Sequence, residues 1–384
     1  MGTPPTTRTV RTQKPNRDYR LDFFRGLALV FIFIDHIPDN VVSNFTLRSF
    51  AFCDAAEMFI FISGYTAVLA YGPVFDREGI AMGFARVYRR VWQLYVAQLF
   101  LFMIFNAEVA YTLKLLYNPL FSDELEVGDY LQNPGETFIR VLLLQFQPTL
   151  LNILPLYIVL LLGLPVLILL IRRHILLGLV PSAAVWFAAL LFGWNLPGFP
   201  EDKVWYFDPF SWQFLFAIAV SPGFARGRLP WPAWLPKAAL GFSAIAATMM
   251  LIMTAHEMIP GFPAVINLPD SWFDKPMLPP LRLLSILALA TLVAHWVPRD
   301  GRFFTSRTAW WIVLCGQNSL EVFCLSVVLA VMANFILTLA GYGIGAQLGV
   351  NLLGLIVMIG FGLLLAWFKA GGHLPASPNS RDFA

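Results

Sequence analysis

Charge is scarce in this chain: Asp, Glu, Lys and Arg make up 13% of its 384 residues, roughly half the share of a soluble domain. Hydrophobic residues reach 58% and the mean hydropathy is +0.68, which excludes an ordinary soluble globule of this length. A formal net charge of +3 gives no reason to expect nucleic-acid binding. Cysteine is scarce too. Cys53, Cys315 and Cys324 make neither a disulfide framework nor a CxxC metal pair, and their apolar surroundings read as packing. No GxSxG elbow, HExxH pair, Walker loop or intramembrane Cys–His set occurs. The first apolar run has no small-residue cleavage site, so it is expected to be a retained helix. His174, His256, His295 and His373 fall at span ends or in the tail and read as structural.

What is present is a series of long apolar runs. A membrane span needs about 20 mostly apolar residues, and ten candidates follow along the chain. They run near 21–37, 55–71, 84–105, 150–171, 175–194, 210–224, 235–255, 281–297, 309–339 and 344–368. The stretch 137–146 is too short to span and reads as interfacial or re-entrant. The expected fold is therefore all-α and polytopic. A basic tail over 1–19 precedes one transmembrane domain over 20–369 and a second tail over 370–384.

Basic residues alternate between loops. One set holds Arg8, Arg11, Lys14, Arg17 and Arg20, then Arg77, Arg86, Arg89 and Arg90, then Arg172 and Arg173. It continues through Arg226, Arg228 and Lys237, then Arg299, Arg302 and Arg307, to Lys369 and Arg381. The opposite loops carry Asp123, Glu124, Glu126, Asp129, Glu201, Asp202, Asp208, Asp270 and Asp274. By the positive-inside rule the first set, and both termini, are expected in the cytoplasm.

Charges inside spans are costly and mark function by default. Helix one reads RLDFFRGLALVFIFIDHIPDN. Arg25 and His36 stand eleven residues apart, close to three helical turns, so they share a face about 16 Å apart along the axis. Asp54 and Glu57 open the second span at i and i+3 on one face. The outer loop brings them to the level of His36, where Asp35, Asp54 or Glu57 could orient an imidazole acting as general base. The competing reading is that these acids cap helix ends or pair structurally. In FARVYRRVWQLY, the residues Arg86, Arg89 and Arg90 lie on one side of a helix. They either fix topology or form a phosphate-binding patch. Gln317, Asn318, Ser319 and Glu321 interrupt the ninth span and either bond across helices or contribute to a site. Gln147, Asn152, Trp212 and Gln213 lie before outer helix ends as candidate substrate contacts, with an aromatic belt as the alternative.

The strings RLDFFRGLALVFIFIDHIPDN, FCDAAEMFIFISGYTAVLAYG, FARVYRRVWQLY, LNILPLY, DPFSWQFLF and GQNSLEVFCL resemble the OpgC family of membrane proteins, whose best-known members attach succinyl groups to osmoregulated periplasmic glucans. The Arg25–His36 interval also resembles the signature of the broader acyltransferase-3 superfamily. The resemblance implies a multi-pass enzyme of the bacterial inner membrane with no permanently bound cofactor. Its co-substrate would be an acyl-CoA, succinyl-CoA by the family's example, and its acceptor a hydroxyl of a periplasmic glucan or other extracytoplasmic saccharide. His36 matches the family's essential histidine, Arg25 its partner arginine, and Arg86, Arg89 and Arg90 its arginine motif. A transporter or flippase using the same charges as an ion or proton relay is the rival expectation.

Overall fold

The computed structural model describes residues 17–116, 125–224, 232–266, 268–299 and 301–373. Arg8, Arg11, Lys14, Asp123, Glu124, Arg226, Arg228 and Arg381, and with them most of both expected tails, lie outside the described residues.

The first helix, α1 (Tyr19–Asp35), starts where the Asp18 carboxylate accepts from the Arg20 N–H at 3.2 Å, the usual way of satisfying an orphan donor. Two short 3₁₀ turns, Val41–Phe45 and Leu47–Ser49, lead to α2 (Ala55–Arg77). Then come α3 (Ile80–Leu116), the short α4 (Gly128–Gln132) and α5 (Pro134–Leu142), α6 (Ile153–Arg173), α7 (Ile175–Phe192) and α8 (Pro209–Phe224). The chain continues through α9 (Leu235–Met258), α10 (Pro280–Trp296), α11 (Arg307–Gln317), α12 (Ser319–Ala340) and α13 (Ile344–Lys369). The described residues contain no strand, only an isolated bridge between Pro197 and Val204.

Among the described residues seven helices are long and apolar enough to cross a membrane: α2, α3, α6, α7, α9, α12 and α13. α1 and α10 have 17 residues and α8 has 16. The protein is a multi-pass membrane protein, and its outer helices expose rows of apolar side chains, such as Leu176, Val180 and Phe187 on α7 and Leu352 and Ile356 on α13. Exposure on that scale fits contact with lipid. α5, at nine residues, rises only about 14 Å and cannot span.

The ninth expected span, 309–339, is two helices. α11 ends at Gln317, Asn318 takes φ −113° and ψ 39°, and α12 restarts at Ser319. Beside the break α11 approaches α1 closely. A Cβ on Gly316 would lie 1.8 Å from the Asp22 carbonyl oxygen, and one on Gly26 would lie 2.1 Å from that of Ile312. Only glycine permits such contact, and Gln317 donates to Asp22 across it at 3.3 Å. α1 is thus enclosed by α2, α11 and α12, while α9 and α10 pack on each other at one side.

Candidate functional site

The loop ending α1 is fixed by amides. Asn40 donates to the Ile34 carbonyl at 2.9 Å, Asn351 of α13 donates back to Asn40 at 2.9 Å, and the Val41 N–H donates to Gln347 at 2.8 Å. These bonds set the height of His36, which follows the last residue of α1. His36 lines a cavity of about 680 Å³ together with Asp35, Arg48, Asp54, Asn152, Tyr206, Lys275, Arg282 and Asn334. Its Nδ1 is buried without a hydrogen-bond partner.

Asp54 and Glu57 form a capping box on α2: the Ala56 N–H donates to Asp54 at 2.8 Å and the Asp54 N–H to Glu57 at 3.0 Å. Glu57 is 0% exposed and accepts from Arg282 Nε at 2.6 Å. Asp54 Oδ2 lies 3.2 Å from the Arg282 guanidinium and 2.8 Å from Lys275 Nζ. Burial would raise the Asp54 carboxyl, but Lys275 and Arg282 outweigh it and hold the group well below the usual carboxylate range. For Lys275 burial acts downward, yet the carboxylates of Asp54 and Glu57 raise its ammonium above its ordinary value. Asp35 accepts from the Thr46 hydroxyl at 2.7 Å. Of the acids expected beside His36, Asp35 and Asp54 line its cavity, but the hydrogen bonds of all three go to Arg282, Lys275 and Thr46 and not to the imidazole. Glu57 sits behind the cavity wall, and its role is to fix Arg282.

A second cavity of about 180 Å³ lies toward the other end of α1, lined by Arg25, Ser63, Thr66, Tyr71, Arg90, Tyr157 and the first residues of α12, Ser319 and Leu320. The Arg25 guanidinium donates to Thr66, and its buried Nε has no partner. The N-terminus of α12 has no side-chain cap, so its first N–H groups add positive potential here. Of the arginine trio only Arg90 lines this cavity. Arg86 is exposed and paired with Glu78 at 2.9 Å, and Arg89 is exposed. The two cavities share no lining residue. Phe59, Tyr157 and Phe323 line the Arg25 cavity, with ring centroids 6.4 Å apart for both Phe59 pairs.

The other expected contacts divide. Asn152 lines the His36 cavity, with its Oδ1 buried and unpartnered. Gln147 opens onto a smaller neighbouring pocket beside Phe199 and Tyr206. Trp212 is wholly buried; it donates to the Pro276 carbonyl at 3.0 Å and packs on Phe207, so it anchors the loop carrying Lys275 and does not itself face the cavity. Gln213 is spent on α7, donating to the Ser182 carbonyl at 2.8 Å. Asn318 and Glu321 both accept from Lys369, at 2.7 and 3.1 Å, and line no part of the His36 cavity. Arg48, Lys275, Tyr206 and Arg282 were missed. The sequence carried no signal for Arg282, because acids at a helix start are already accounted for by capping and the helix dipole.

A family model described as OpgC protein matches residues 17–370. The chain belongs to the OpgC family. That membership makes it an acyltransferase-type membrane enzyme, and the match covers every helix described above. Among curated proteins and among solved structures, no match was found.

Proposed function

We propose that the chain transfers an acyl group, succinyl by analogy with its family, from an acyl-CoA on the side of its N-terminus to a saccharide hydroxyl, such as that of a periplasmic glucan, on the other side. The observation that carries this reading is the pair of cavities on α1, one holding Arg25 and Arg90 and the other His36. About 16 Å of helix separates Arg25 from His36, a length a pantetheine arm can bridge. The diphosphate of the donor would rest against Arg25, Arg90 and the N-terminus of α12, and its arm would pass between Phe59, Tyr157 and Phe323.

In the outer cavity His36 takes the proton of the acceptor hydroxyl as its oxygen attacks the thioester carbonyl. The carbon–sulfur bond then breaks, and the imidazolium returns the proton to the departing thiolate. With no protein partner on its Nδ1, the imidazole can accept the proton of the acceptor hydroxyl at that nitrogen. Lys275 and Arg282 supply positive potential for the developing oxyanion, and Lys275, Arg48 and Arg282 suit an acyl group bearing a free carboxylate. An acyl-His intermediate is the second variant of the same chemistry.

The transporter alternative expects paired broken helices, whereas among the described residues it is the ninth expected span that is divided, at Gln317–Asn318. The two classes separate in membranes given labelled succinyl-CoA. Acceptor-dependent release of free CoA that His36→Ala abolishes supports the enzyme; acceptor movement without thioester consumption overturns it.

A further inference from the structure

α10 packs on α9, and between α10 and the α1–α2 pair a cleft of about 490 Å³ remains open. Its walls include Phe24 and Phe31 of α1, Met58 and Phe61 of α2, and Leu289 and Val293 of α10. Protein interiors do not leave such gaps empty of matter. From Leu21 to Phe31 the α1 wall rises about 15 Å, half of a hydrocarbon core roughly 30 Å thick, so the cleft is as long as one leaflet is deep. Its composition changes at one end only. Where α1 begins, Arg20, His295 and Arg299 complete the lining.

These cations differ in availability. Arg20 is buried and spent, bonded to both Asp18 oxygens at 3.0 and 2.9 Å and to the Val297 carbonyl. Arg299 keeps 55% of its side chain exposed and only reaches Asp18 at 4.0 Å, and His295 is exposed on the last turn of α10. Two guanidiniums facing one carboxylate leave a positive end on an apolar slot. We infer that this cleft holds one acyl chain of an anionic phospholipid, with its headgroup phosphate against Arg299 and His295. The site lies on the opposite side of α2 from Arg25, Thr66 and the donor cavity, so it is independent of the acyl-transfer reading.

The full-length protein, purified in mild detergent, is titrated with phosphatidylglycerol and with phosphatidylcholine and read by native mass spectrometry. Phosphatidylglycerol is expected to bind severalfold better. Arg299→Gln should weaken it about fivefold, the effect of one basic residue near a lipid surface, while leaving phosphatidylcholine unchanged. Ala294→Trp, which fills the slot, should remove the bound lipid. Equal binding of the two lipids, or unchanged binding in either folded variant, overturns the inference. So does a stable dimer without lipid, since a second copy would then cover the cleft.

Discussion

Arg282 on α10 joins two acids of α2, donating through Nε to Glu57 at 2.6 Å and lying 3.2 Å from Asp54. The contact spans more than two hundred residues of sequence and ties a peripheral helix to the one that flanks His36.

Removing one member of a buried ion pair strands the other, at about 3–5 kcal/mol. Arg282→Met should therefore lower the thermal unfolding temperature of the detergent-purified protein sharply. Glu57→Gln combined with Arg282→Met should recover part of the loss. A single variant that melts with the wild type would show that the bridge contributes nothing to stability.

The depressed Asp54 carboxyl gives a pH dependence of definite sign. Its stabilising contribution is complete above the ordinary Asp value of about 3.9 and fades as pH falls from there toward its lower folded value. Lys275→Met removes one of the two cations that hold Asp54 down, so the onset of acid unfolding should move to higher pH. Coincident acid transitions for variant and wild type would contradict the assignment.

The apolar helices were legible from hydropathy, although seven of them, not ten, are long and apolar enough to span among the described residues, and Arg25 and His36 of the expected stripe line separate cavities. The division of the ninth span was hinted at by Gly316, Gln317, Asn318 and Ser319, yet the close approach of Gly316 to Asp22 beside it depends on which helices meet. Lys275 and Arg282 were hidden for the same reason. Each is an isolated cation in a loop or span, and only tertiary packing shows that both answer the acids of α2. Trp212 misled because an aromatic near a helix start can be read as a belt residue or a sugar platform, whereas here it supports a loop from beneath.

Succinyl-CoA turnover should fall about 10²–10⁴-fold in His36→Ala, the usual worth of a positioned general base. Arg90→Ala should raise the KM for the donor, while Arg86→Ala, which loses only an exposed pair with Glu78, should change it little. Equal KM effects for the two arginines would mean that the donor binds on the outer surface of α3 and not in the cavity with Arg25.

Gly316→Ala places a methyl group on the Asp22 carbonyl. Overpacking of this kind costs about 1–3 kcal/mol, and sometimes more, and it must push α11 from α1. The expected outcome is a lower melting temperature together with reduced acyl transfer, read in the same preparation. Gly349→Ala, where a Cβ meets nothing within 4 Å, is the matched control and should behave as wild type.

The three rings of Phe59, Tyr157 and Phe323 bear on the cell's energy economy. A passage wide enough to admit a thioester arm would, if permanently open, let protons and small ions run down the gradient that the membrane maintains. On the proposed transfer, an aromatic layer of this kind would keep the resting protein electrically tight and open a route between the two aqueous phases only while an arm fills it.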